Sequence, residues 1–172
     1  MSLETAAMRW LRWDRKYPIA ICERSPRSVG FGQPDVLGVT KARYLIEIEI
    51  KRSMSDFRAD ATKLHRANRH LYLKQQAKQF YYLVPGRMEE AVAAALPDWA
   101  GLMVLRKGEY SVAVVKPAPV NPESKRLSVK ECCRLVHMVA QNLLCSELSH
   151  EATMARLTEE SGPWEFNWHY QI

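Results

Sequence analysis

Tyr44-Leu45-Ile46-Glu47-Ile48-Glu49-Ile50-Lys51 decides the fold of this 172-residue chain. From Ile46 onward, isoleucine holds the even positions and charge holds the odd ones. That is the period-two alternation of a β-strand with one face packed and the other polar. Glu49 and Lys51 then point the same way, with Cα atoms roughly 6–7 Å apart, because two strand residues rise about 3.3 Å each. Upstream, Pro34-Asp35 forms a turn into a second apolar stretch, Val36-Leu37-Gly38-Val39, and thirteen residues separate Asp35 from Glu49. Alternating charge and isoleucine alone also describes any solvent-facing antiparallel strand. The paired acids and the lysine are what raise it to a candidate site.

Those residue types suit the hydrolysis of a phosphodiester. Water attacks phosphorus only when it is activated and the charge developing on the phosphate is neutralised, and Mg²⁺ held by two carboxylates does both. Asp35 and Glu49 are the candidate ligands, with Mn²⁺ as a substitute ion. Lys51 has three roles open to it: orienting the water, deprotonating it, or stabilising the pentavalent phosphorus as a preorganised cation.

Pro34-Asp35 with Glu49-Ile50-Lys51 resembles the signature of the PD-(D/E)xK nuclease superfamily. The resemblance implies an α/β (α+β) fold with a restriction-endonuclease-like core, a central mixed β-sheet flanked by helices. Within that superfamily the chain is similar to the MmcB-like DNA-repair proteins. The similarity rests on Glu23, the approach Gly32-Gln33-Pro34-Asp35, the run Ser53-Met54-Ser55-Asp56-Phe57-Arg58-Ala59-Asp60, and the stretches 80–85 and 100–104. It covers about residues 20–116, and Ala61-Thr62-Lys63 departs from the pattern, which would bring a lysine closer to Asp60. The implied function is a metal-dependent DNA nuclease in repair, recombination or a mobile element, with Glu23 as an accessory ligand or water-orienting group. The competing expectation is a nuclease fold without turnover that serves as a DNA-docking or scaffold subunit.

Charge points to the same partner. The chain carries a net +6, and residues 41–80 hold ten Lys or Arg against four acids, so that region accounts for the whole excess. A basic concentration beside the candidate site is what binding a phosphate backbone requires. Arg24 and Arg27, in a loop rich in Arg, Ser, Pro and Gly, are expected phosphate contacts. Lys63, Arg66, Arg69 and Lys74 recur at helix-surface spacing as a basic stripe.

The length suits one compact domain: a nuclease-like core over 1–116, then a C-terminal helix and aromatic tail over 117–172 packed on it. No apolar run approaches the ~20 residues that span a bilayer, and the N-terminus does not read as a signal peptide, so the expected location is the cytoplasm with no membrane partner. Cys22, Cys132, Cys133 and Cys145 have neither zinc nor disulfide-framework spacing and are expected as buried thiols. Helices are expected at 2–13 with Ser2 as N-cap, after Ser53 or Ser55, at 87–96, and at 128–147 with Val129, Cys132, Cys133 and Val136 on its apolar stripe. Strands are expected at 17–23, 35–39, 43–51, 80–84, 101–106 and 110–116, the last two joined by a turn at Lys107-Gly108-Glu109. In the tail, Trp164, Phe166, Trp168 and Tyr170 alternate with polar residues. Their aromatic face either folds back on the sheet edge or joins a homodimer, with stacking on nucleic-acid bases as the third reading.

Overall fold

The computed structural model describes residues 1–22, 34–61 and 77–140. The chain divides into two compact units, Met1–Leu135 and Val136–Ile172. The first is built on a mixed sheet flanked by helices, with strands β1 (Ile19–Cys22), β2 (Val36–Val39), β3 (Leu45–Ile50), β4 (Gln79–Pro85), β5 (Gly101–Leu105) and β6 (Ala113–Lys116) lying side by side in chain order. β1, β2 and β3 form an antiparallel meander, β3, β4 and β5 run parallel, and β6 returns antiparallel to β5. Parallel neighbours need crossovers. The chain supplies helix α2 (Met54–Ala61) between β3 and β4, and a 3₁₀ turn with helix α3 (Glu89–Ala95) between β4 and β5.

Each face of the sheet has its own core. On one side Ala6 and Ala7 of helix α1 (Leu3–Arg9), with Trp10 and Leu11 just beyond it, pack against Ile46, Ile48, Ile50, Leu83 and Met103. On the other, Phe57 of α2, with Met88 and Val92, packs against Phe80, Tyr82, Val84, Leu102 and Val104. The central strand β4 therefore divides its side chains by parity, which is why Phe80-Tyr81-Tyr82-Leu83-Val84 reads as a continuous apolar run. Ser2 caps α1 as expected, its hydroxyl accepting from Thr5 N at 3.1 Å. Ser53 begins α2, its hydroxyl accepting from Asp56 N at 3.2 Å. The hairpin turn before β6 uses Gly108 at φ +83, a left-handed conformation that glycine adopts without strain.

Several expectations change. The odd-numbered face of β3 does not open to solvent: Glu49 and Lys51 are 5% and 4% exposed, because α2 follows directly and lies over them. The first helix does not run unbroken to 13. It passes into a π-helical turn at Trp10–Asp14, where Arg12 reaches the carbonyls of Tyr17 and Pro18. Trp13 is thereby left exposed, while Trp10 is core. The helix that begins at 129 carries Val129 and Cys133 on its outside, and the buried position is Leu135. Among the described cysteines, Cys22 and Cys132 are half-buried and Cys133 is exposed. Adjacent helical residues face different ways, so Cys133 cannot follow Cys132 inward. Residues 117–127 are tied to the sheet, with Asn121 N donating to Lys78 O and Leu127 N to Arg43 O, each at 2.8 Å. No helix among the described residues is long and apolar enough to cross a membrane. The aromatic tail at 164–170 and Cys145 lie outside the described residues.

Candidate functional site

The β2–β3 register decides which side chains meet. Val36 pairs with Ile48, so continuing the antiparallel pairing by one residue sets Asp35 opposite Glu49. Directly opposed residues share a face, with Cβ atoms about 4.5–5.5 Å apart. Asp35 is further fixed by Ile50, whose backbone N–H donates to its Oδ2 at 2.7 Å. Two residues beyond Glu49, the backbone N–H of Lys51 donates to Leu83 O at 3.0 Å, carrying the β3–β4 pairing past the end of the strand and fixing where its side chain leaves the sheet.

The Lys51 ammonium sits among three acids. Its Nζ lies 3.0 Å from Glu49 Oε1, 3.4 Å from Asp60 Oδ1 and 3.8 Å from Asp56 Oδ1. Asp60 is fully buried, and its second oxygen accepts a hydrogen bond from the Tyr82 hydroxyl at 3.0 Å. Phe57 meets the Tyr82 ring edge-on, with centroids 5.0 Å apart. Asp56, with half of its side chain exposed, is the point where the cluster meets water. Burial works against the lysine charge, but Glu49, Asp60 and Asp56 outweigh it, and the amine pKa stands above its ordinary value. Lys51 is therefore an ammonium ion in this arrangement.

Asp35, Glu49 and Lys51 are thus brought to one end of β3. Asp60 is the residue that sequence reasoning left without a role. Its signal was the spacing from Asp56: four residues apart on a helix share a face, and that face looks back at Lys51. Glu23, Arg24 and Arg27, together with Lys63, Arg66, Arg69 and Lys74, lie outside the described residues. Among the described residues, no group of three or more His, Cys, Asp or Glu side chains is arranged to hold a metal ion.

No family model and no curated protein sequence matches the chain. A solved structure that resembles it is a protein of unknown function from Silicibacter pomeroyi. The match has a TM-score of 0.55 and 22% identity, and covers 96% of this chain and 94% of the other. At that identity the likeness concerns the fold alone, and it extends over nearly the whole of both chains.

Proposed function

We propose that the chain is a Mg²⁺-dependent DNA nuclease built on a restriction-endonuclease-like core of the PD-(D/E)xK kind. The observation that carries this reading is the register that faces Asp35 with Glu49, with Lys51 two residues further along the same strand. Hard carboxylate oxygens from two adjacent strands fit Mg²⁺, an ion that takes one or two carboxylates and keeps several waters. A cluster of three protein ligands is therefore not required. When bound, the ion supplies an activated water and charge neutralisation at the phosphate.

Asp35 and Glu49 would hold that ion. Asp35 is held in position by the Ile50 N–H, so its outer lone pairs are oriented before any ligand arrives. Lys51, kept protonated by its neighbours, acts as a cation toward the developing phosphate charge and not as the base. Asp60, anchored by Tyr82, aims the amine. The excess of basic residues between positions 41 and 80 supports DNA as the polyanion.

A second reading has its own observation. Lys51 is engaged by Glu49 and Asp60 in a buried cluster, as it would be in a nuclease fold retained as a DNA-docking or scaffold subunit. Incubating the purified protein with supercoiled, linear, single-stranded and branched DNA, in Mg²⁺, Mn²⁺ or EDTA, separates the two. Metal-dependent cleavage that Glu49→Gln abolishes is expected. DNA binding without cleavage of any substrate overturns the nuclease and leaves the docking subunit.

A further inference from the structure

At the opposite end of β3 a second charged cluster surrounds Tyr44. The Lys78 Nζ lies 3.9 Å from the Tyr44 ring centroid, and the Arg126 guanidinium carbon lies 5.4 Å from it. Arg126 Nε also donates to the Tyr44 hydroxyl at 3.2 Å. The cations come from separate parts of the chain and are held by backbone. Lys78 N donates to Leu45 O and Asn121 N to Lys78 O, each at 2.8 Å, and Leu127 N bonds Arg43 O. Arg43 itself is near enough to Cys132 for its charge to act on that thiol. Glu131, on the same segment as Arg126, is taken up by the Ser128 N and Oγ, each at 2.7 Å.

Like charges collected on one ring repel each other, and an exposed cation–π contact offsets little of that repulsion. The field they leave is outward and positive. It is felt at the Tyr44 hydroxyl, whose pKa is lowered by the Arg126 hydrogen bond first and by the charges of Arg126 and Lys78 with it. Two cations gathered on one ring complement a polyanion.

We propose that Lys78 and Arg126, gathered on Tyr44, form a second contact for the phosphate backbone of duplex DNA, remote from the Asp35–Glu49–Lys51 site. The choice of DNA rests on the proposed function. From Tyr44 to Lys51 is seven residue steps, about 23 Å at 3.3 Å each in extended chain. That is about seven base pairs at 3.4 Å per step along one strand.

The test is equilibrium binding of a fluorescent 20-base-pair duplex in EDTA at several salt concentrations. Wild type is compared with Arg126→Gln and with Lys78→Gln/Arg126→Gln. Each lost phosphate contact should make the log–log salt slope shallower by about 0.9. Extrapolated from 1 M salt to 0.1 M, that is about 8-fold in affinity per contact, or about 60-fold for the double variant. Arg126 is exposed, and its hydrogen bond and its ring contact are both to Tyr44, so the single variant keeps its fold and gives half the slope change even where the double variant does not. An unchanged slope in Arg126→Gln and in a folded double variant overturns the inference, as does a wild-type protein that does not bind the duplex. Because EDTA removes turnover, the outcome is independent of cleavage. A chain that cleaves DNA in Mg²⁺ but shows no slope change refutes this contact alone, and one that shows the slope change but never cleaves refutes the nuclease alone.

Discussion

Replacing Lys51 with Met is the sharpest perturbation the structure offers. The amine is 4% exposed and lies within 4 Å of Glu49, Asp60 and Asp56, of which Glu49 and Asp60 are buried. Removing it takes the ammonium away from at least two buried carboxylates, Glu49 and Asp60. Breaking a buried pair in this way costs about 3–5 kcal/mol, which for a chain of this size lowers Tm by on the order of 10 °C. Lys51→Met/Asp60→Asn should recover part of that loss, since the isosteric amide removes one of the two opposed charges. The pH dependence has a definite sign. The folded-state pKa of Lys51 is raised above its ordinary 10.5, so its contribution is complete below that value and is lost as pH rises through the higher folded value. Urea unfolding from neutral pH to the alkaline limit, for wild type and both variants, measures all three effects. If Mg²⁺ binds between Asp35 and Glu49, it should stabilise Lys51→Met more than wild type, because there it meets no competing ammonium. A loss under about 1 kcal/mol, or an alkaline destabilisation equally large in Lys51→Met, would refute the account of this cluster.

Asp35→Ala or Glu49→Ala should abolish Mn²⁺ binding measured by calorimetry while the circular dichroism spectrum stays native; unchanged affinity in both removes the metal assignment. Tyr82→Phe deletes the hydroxyl that donates to Asp60 and should cost about 1.5–3 kcal/mol in chemical denaturation, as expected for a hydrogen bond to a charged group. Gly101→Ala should destabilise more than Gly38→Ala, by about 1–3 kcal/mol in the same assay. A Cβ on Gly101 would lie 2.6 Å from the backbone N of Ala118 and 2.5 Å from the Tyr81 ring, whereas at Gly38 the closest atom, at 2.6 Å, is a methyl of the flexible Leu11 side chain.

What could be read from sequence followed local periodicity. Alternation gave β3, the Ser2 and Ser53 hydroxyls gave two helix starts, and Lys107-Gly108-Glu109 gave the turn before β6, each from chemistry within a few residues. The burial of Glu49 and Lys51 was hidden, because a charged face reads as solvent-facing until something covers it, and the cover is α2, whose inward side shows only through Phe57 and Asp60. The Tyr44 cluster was hidden for a different reason. Lys78 and Arg126 are distant in sequence from Tyr44 and meet it only after β3 and β4 pair and the 117–127 segment crosses their ends.

The cost of the Lys51 cluster bears on what it is for. Taking an ammonium and two carboxylates out of water costs several kcal/mol per ion, and apolar residues of similar volume in such a position are often as stabilising or more so. The surroundings here would accept them: Phe57, Phe80, Tyr82 and Val84 already form an apolar core on the same face. Holding α2 to the sheet therefore does not need Asp60 and Lys51, since Phe57 on Tyr82 does that already. A group of charges that the packing does not require, placed where Asp35 and Glu49 converge and reaching water at Asp56, fits the proposed nuclease site, which must handle phosphate charge. The same argument explains why Tyr82 supplies a hydroxyl as well as a ring: the ring fills the core, and the hydroxyl orients Asp60, which aims the amine.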